Sequence, residues 1–204
     1  MLIYLIRHGQ TNYNKQSRLQ GQTDIDLNEQ GRLLAGITGE ALKNIKFDYI
    51  ISSPLKRAME TARIIIRKKE VPIIEESRVQ EIGFGDYEGL CFGIEGYNIP
   101  NPDFKHFFTA PDQYQVPPRG ESFENIIKRT GEFLHDLINT PSYQNKTILV
   151  STHGCALKAI LANIKKVPVS EFWGEGVHKN CAVSILKAEN GKIEIVEEGK
   201  IYYS

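Results

Sequence analysis

Apolar residues along the chain follow two periods, and the alternation between them sets out the elements. Residues 2–6, Leu2-Ile3-Tyr4-Leu5-Ile6, form an unbroken apolar run, the pattern of a strand buried on both faces. Comparable short runs at 48–52, 71–75 and 147–152 predict three more strands. Between them the spacing turns helical. Behind an N-cap at Asn28, residues Leu33, Leu34, Ile37, Ala41 and Leu42 predict a helix to about residue 44. Ser53 and Pro54 supply a cap and first residue for a helix to about residue 68. Ser122 opens another, with Phe123, Ile126, Ile127, Phe133, Leu134 and Leu137 on its apolar face, and a fourth runs from His153-Gly154 to about residue 163. At the end, alternating segments at 182–186 and 192–196 flank Glu189-Asn190-Gly191, which reads as a hairpin.

Two stretches lack periodicity. Residues 9–27 read as a polar loop, and residues 81–120, rich in Gly, Pro and aromatic side chains, read as a loop-rich cap insertion. Strands alternating with helices predict an α/β protein, a three-layer α/β/α sandwich with a mostly parallel central sheet, formed by residues 1–204 as a single domain. In such sheets ligands bind beyond the carboxyl ends of the strands, so chemistry is expected there.

Composition narrows the function classes. Twenty-five basic and 25 acidic residues cancel, leaving no field to attract nucleic acid. The short run Arg67-Lys68-Lys69 reads as a solvated helix end. The odd, scattered cysteines Cys91, Cys155 and Cys181 point to free thiols and a reducing compartment. No apolar run is long enough to span a membrane, and the apolar start is too short for a signal-peptide core, so a cytoplasmic location is expected.

Unusual polar residues stand where the strands end: Arg7-His8-Gly9 after the first, Ser52-Ser53-Pro54 with Arg57 after the second, and Thr152-His153-Gly154 after the fourth. Neighbouring strands would bring two histidines and two arginines into one cleft. A guanidinium fork suits a phosphoryl group, and helix N-termini near Pro54 and Gly154 would add backbone donors. Gly9 and Gly154 would permit close backbone approach.

These residues stand in an ordered series of motifs: Arg7-His8-Gly9-Gln10-Thr11 with Asn14, Leu27-Asn28-Glu29-Gln30-Gly31, Ser52-Ser53-Pro54-Leu55-Lys56-Arg57-Ala58, Glu81-Ile82-Gly83-Phe84-Gly85-Asp86-Tyr87-Glu88-Gly89, Gly120-Glu121-Ser122 and Ser151-Thr152-His153-Gly154. In that order they resemble the histidine phosphatase superfamily, also called phosphoglycerate mutase-like. The resemblance implies that His8 attacks phosphorus and forms a phosphohistidine. It implies that Arg7, Arg57 and His153 hold the non-bridging oxygens, and that Glu81 works as general acid and then base. It adds Asn14, Gln20, Gly21, Gly154 and Asn180 as phosphate- or substrate-binding positions. A nucleophilic imidazole must be neutral, with one nitrogen donating to a nearby carbonyl and the other free.

Other chemistries find no support. Cys91, Cys155 and Cys181 are followed six positions later by Tyr97, Leu161 and Lys187, not the arginine of a cysteine phosphatase. Neither a Gly-x-Ser-x-Gly elbow nor a P-loop occurs. Two arginines beside the histidines would repel a dication, so neither metal nor cofactor is expected. Residues 90–118 hold no arginine for a glycerate carboxylate, only Lys105, which favours a phosphatase over a cofactor-dependent phosphoglycerate mutase. The expected substrate is a small phosphomonoester, with specialised α-ribazole, sugar-phosphate or phosphoserine phosphatases as alternatives. The cap aromatics Phe84, Tyr87, Phe92, Tyr97, Phe104, Phe107, Phe108 and Tyr114 are expected to divide between the cap's own core and contacts for its organic part. Arg119, where the family pattern has glycine, is a candidate specificity residue. The alternating tail offers an edge strand for a homodimer.

Overall fold

The structure, a computed structural model, describes residues 1–67 and 71–204. Four strands run in parallel: β1 (Leu2–Arg7), β2 (Tyr49–Ser52), β3 (Ile73–Glu75) and β4 (Thr147–Thr152). A hairpin of β5 (Val183–Glu189) and β6 (Lys192–Lys200) adds two antiparallel strands beside β1. The order across the sheet is β3-β2-β4-β1-β5-β6.

The two-residue period of the strands sorts side chains into two cores. Ile3 and Leu5 of β1 face the same way as Ile148 and Val150 of β4, whereas Tyr4, Ile6 and Leu149 face the other. The first face is covered by α5 (Phe123–Asn139), through Phe133, Leu134 and Leu137, and by α6 (Gly154–Lys165), through Leu157, Ile160 and Leu161. The second is covered by α2 (Glu29–Ala41) and α3 (Lys56–Ile66), through Leu34, Ala35, Ala62 and Ile65. Three layers result, as the alternating pattern predicts.

Some expectations need correction. The loop after β1 contains one helical turn, α1 (Asn12–Lys15), because Thr11 and Asn14 close a reciprocal capping box. Helix α3 starts at Lys56, not Pro54: Leu55 is its N-cap with extended backbone, and the Ser53 hydroxyl serves the Leu55 N–H and His153. Leu33 and Ile37 of α2 face outward, and Leu34, Ala35 and Thr38 form its buried side. Strand β3 is shorter than its apolar run, beginning at Ile73. The expected helix end at Lys68 and Lys69 lies outside the described residues.

The cap is built of short turns and α4 (His106–Thr109). Its aromatic residues form a third core: Phe84, Phe104 and Phe107 pack with Phe123 of α5, Ala156 and Ala159 of α6, and Phe172 and Trp173. The cap therefore shares its interior with the helices beneath it. Among the described residues, no helix is long and apolar enough to cross a membrane.

Candidate active site

Parallel register places the chemistry. Arg7 at the end of β1 pairs with Thr152 at the end of β4, and Ser52 of β2 pairs with Ser151. The next residues, His8, His153 and Ser53, are all buried together below one opening. The His8 and His153 rings lie 5.1 Å apart, centroid to centroid.

His8 Nδ1 lies 2.7 Å from the Gly9 carbonyl oxygen. A carbonyl only accepts, so Nδ1 carries the hydrogen and Nε2 carries the lone pair. Burial pushes the His8 pKa well below the ordinary histidine value, and the Arg57 and Arg7 charges push the same way. The backbone carbonyl of His8 accepts a hydrogen bond from Asn180 Nδ2 at 3.0 Å, and that amide also reaches Asn14 Oδ1. Asn14 and Asn180 thus hold the segment that carries His8 as well as lining the cavity.

Arg57 is fully buried. Its Nε donates to His153 Nδ1 at 3.1 Å, Nη1 to the Thr23 carbonyl at 2.8 Å and Nη2 to the Gly21 carbonyl at 2.7 Å. These bonds use three of five N–H groups and leave two for a ligand. Burial lowers its pKa to about 10, opposed by Glu81, Asp24 and Glu88. Arg7 donates through Nη1 to the His178 carbonyl, while its Nε is buried without a partner. A buried unpaired guanidinium N–H is costly unless an anion completes it.

His153 is bracketed rather than free. Nδ1 accepts from Arg57, so in the neutral ring Nε2 is the donor, to Ser53 Oγ at 2.7 Å. Burial, then the Arg57 charge, pushes its pKa well below the ordinary value. Ser53 is a partner that motif reading left without a role.

Glu81 sits at the start of α6. Its Oε1 accepts from the backbone N–H groups of Cys155 at 3.0 Å, Ala156 at 3.1 Å and Ile82 at 3.0 Å. This narrows one expectation: the Cys155 and Ala156 amides of α6 hold the carboxylate of Glu81 instead of standing open for phosphate. The N-terminus of α3 is also occupied, with Lys56 N–H donating to Asp24. Gly9 closes on the backbone of Gly31 in α2, where an added Cβ would stand 2.6 Å from the Gly31 oxygen, rather than on a ligand.

Above these groups lies a cavity of about 360 Å³. Arg7, Asn14, Gln20, Gly21, Glu81, Gly154 and Asn180, all expected site positions, line it. The buried His8, Arg57 and His153 are not among the lining residues; Asn180, bonded to the His8 carbonyl, and Gly21, bonded to Arg57, join them to the cavity. Phe84, Phe92, Phe107 and Phe108 supply aromatic wall, as the cap composition suggested, together with Trp173 and Leu19, which sequence reading missed. Trp173 lies far beyond the aromatic-rich cap in sequence, and only the shared core brings it there. Arg18 at the rim was also missed. Arg129 is a third omission: it pairs with Glu121 at 2.6 Å and donates to the Arg78, Gln80 and Glu81 carbonyls, fixing the segment that carries Glu81. Arg119 pairs with exposed Asp86 and is not among the cavity residues. Among the described residues no cluster of three or more His, Cys, Asp or Glu side chains is arranged to hold a metal ion.

The chain is similar to known proteins over most of its length. The Bacillus subtilis (strain 168) uncharacterized phosphatase PhoE is 36% identical over 162 residues, 79% of this chain and 76% of that protein. The metal-independent phosphoserine phosphatase of Arabidopsis thaliana is 34% identical over 164 residues, covering 79% of this chain and 68% of its own. The solved structure of Bacillus stearothermophilus YhfR superposes with a TM-score of 0.91 at 32% identity, over 98% of this chain and 97% of that one. Residues 3–200, which carry every motif and all of the sheet but Leu2, match the histidine phosphatase superfamily (branch 1), and the chain belongs to that family.

Proposed function

We propose that the protein is a metal-independent phosphatase of small phosphomonoesters, acting through a phosphohistidine on His8. The observation that carries this reading is the His8 ring itself: buried, tied through Nδ1 to the Gly9 carbonyl, and flanked by Arg7 and Arg57. In the first step the Nε2 lone pair attacks phosphorus, an N–P bond forms, and the bond to the ester oxygen breaks. Glu81, entering as the acid, gives its proton to that oxygen from Oε2, which accepts from the Cys155 N–H alone while Oε1 is held by three amides. Positive charge arising on the phosphorylated ring is met by the Gly9 carbonyl at Nδ1–H. In the second step water attacks phosphorus, Glu81 takes its proton, and the N–P bond breaks to return neutral His8 and phosphate. The unpartnered Arg7 Nε and the two spare Arg57 N–H groups grip the non-bridging oxygens in both transition states. His153 orients Arg57 and reaches the oxygens when Nε2–H turns from Ser53.

The aromatic wall favours esters with an apolar or ring-bearing leaving group. Phosphoserine is the second reading, supported by the name of the Arabidopsis relative and by the Arg18 cation at the rim, which suits a carboxylate. The three free thiols support a reducing, cytoplasmic setting. The open edge of β6 supports a homodimer, to be tested by analytical ultracentrifugation.

The deciding experiment compares wild type with His8→Ala on a panel of phosphomonoesters containing aryl phosphates, phosphoserine and 3-phosphoglycerate, with and without EDTA. Removal of the nucleophile should lower kcat by roughly 10⁴-fold or more. Acid-labile ³²P should appear on wild type alone, and EDTA should change nothing. Equal turnover by both proteins would refute the mechanism, and faster interconversion of 2- and 3-phosphoglycerate than phosphate release would make the protein a mutase.

A further inference from the structure

Arg57 is the most deeply buried cation of the site, yet among the described residues no carboxylate pairs with it. Its two terminal nitrogens rest on the carbonyls of Gly21 and Thr23. The Gly21 carbonyl belongs to the same peptide group as the Gln22 N–H, and that N–H donates to Glu88 Oε1 at 2.8 Å. One peptide unit therefore lies between a carboxylate and a guanidinium, its N–H toward the negative group and its C=O toward the positive one. Thr23 repeats the pattern, with its hydroxyl donating to Glu88 Oε2 and its carbonyl accepting from Arg57 Nη1. The close approach depends on Gly21: at φ +53°, an added Cβ would stand 2.1 Å from Glu88 Oε1.

We infer that Glu88 is a positioning residue, the remote counter-ion of Arg57, acting through the Gly21–Gln22 peptide and the Thr23 carbonyl to aim the two free guanidinium N–H groups at phosphate. The physics is that of an aligned dipole between two charges. The carboxylate polarises the peptide and makes its carbonyl a stronger acceptor for the guanidinium. A direct carboxylate–guanidinium pair would occupy the fork needed for the ligand. An intervening peptide compensates the charge and leaves the fork open. Outer partners of this kind characteristically change ligand affinity by about 10- to 100-fold when removed.

Glu88 also accepts from the Phe84 N–H at 3.2 Å, and Phe84 lines the leaving-group cavity. Gly89 N–H donates to the Leu19 carbonyl and Leu19 N–H to the Leu90 carbonyl, stitching the cap to the loop that carries Gly21. The same carboxylate thus joins the wall that meets the organic part of a substrate to the arginine that meets its phosphoryl group. Seating of the cap and grip on phosphate become one event.

This inference rests on the phosphatase reading, and its test uses a readout independent of turnover: calorimetric binding of inorganic phosphate and of vanadate. Glu88→Gln keeps shape and one acceptor oxygen but removes the charge. We expect it to weaken phosphate binding about tenfold, with the melting temperature unchanged. In an Arg57→Lys background, which has no fork to aim, the same change should add nothing. Wild-type phosphate affinity in Glu88→Gln would overturn the inference. So would an equal further loss in the Arg57→Lys background, or a loss of affinity that appears only with a fall in melting temperature. A wild type that takes up no phosphate would overturn it as well. Wild type that binds phosphate but hydrolyses no ester would instead sink the phosphatase reading, leaving the Glu88 comparison to stand on binding.

Discussion

At the scale of single residues, the site is a place where two imidazoles are kept uncharged by burial and by neighbouring guanidinium groups. That has a cost with a definite sign. The folded pKa values of His8 and His153 lie below the unfolded value of about 6.5, so between those limits the unfolded chain binds protons that the folded chain does not. Stability from these groups is complete above pH 6.5 and is lost as pH falls below it. Each contributes a slope of up to about 1.4 kcal/mol per pH unit. Urea unfolding of wild type and His153→Gln from pH 7.5 to 5 should show the variant's slope shallower by about that amount. Equal slopes would mean that His153 is protonated in the fold. The same shift predicts that kcat for an ester of fixed ionisation has no acid limb at pH 6.5, since His8 stays neutral below it.

At the scale of elements, the loop after β1 is locked to α2 by backbone rather than side chain. An added Cβ on Gly31 would stand 2.1 Å from the Gln10 carbonyl oxygen, so Gly31→Ala must displace the segment following His8. We expect it to destabilise the fold by about 3 kcal/mol and to lower kcat. Gly36, in the same helix with nothing within 4 Å, is the matched control: Gly36→Ala should stabilise by about 0.5–1 kcal/mol. A denaturant titration of the pair separates steric crowding from helix propensity. The comparison also shows what sequence could and could not reveal. The parallel strands were legible as apolar runs, and His8, Arg57 and His153 were legible because they follow the three of those runs that end in an unusual polar group. The capping turn at Asn12–Lys15 was hidden by its polar composition. The outward face of Leu33 and Ile37 was hidden because apolar spacing alone admits two neighbouring faces. Trp173, Ser53, Arg129 and the Glu88 relay were invisible for a common reason: each acts on a partner tens of residues away, and no local pattern encodes that partner.

At the scale of the whole molecule, the strand ends of the sheet carry His8, His153 and Arg7 and the cap supplies the aromatic wall of the cavity, joined by one continuous aromatic core. Phe107 stacks on Phe104 and Phe123 and meets Trp173 edge-on, so the inner wall cannot be trimmed without loosening the core. Phe92 and Phe108 are different. They line the cavity, contact each other at 5.4 Å between centroids, and remain 36% and 38% exposed; Phe108 also packs on Phe107 at 4.9 Å and on Trp173 at 6.0 Å, so Phe92 is the cleaner probe of the wall. If the wall selects the organic part of the ester, Phe92→Ala and Phe108→Ala should each lower kcat/KM for an aryl phosphate by about tenfold, the effect of losing roughly half the burial of a phenyl group. The same variants should leave kcat/KM for a short alkyl phosphate, and affinity for inorganic phosphate, within about twofold, because no contact to the phosphoryl group is altered. Equal losses on both esters would show instead that the rings serve cap seating, and the preference for ring-bearing esters would fall with them.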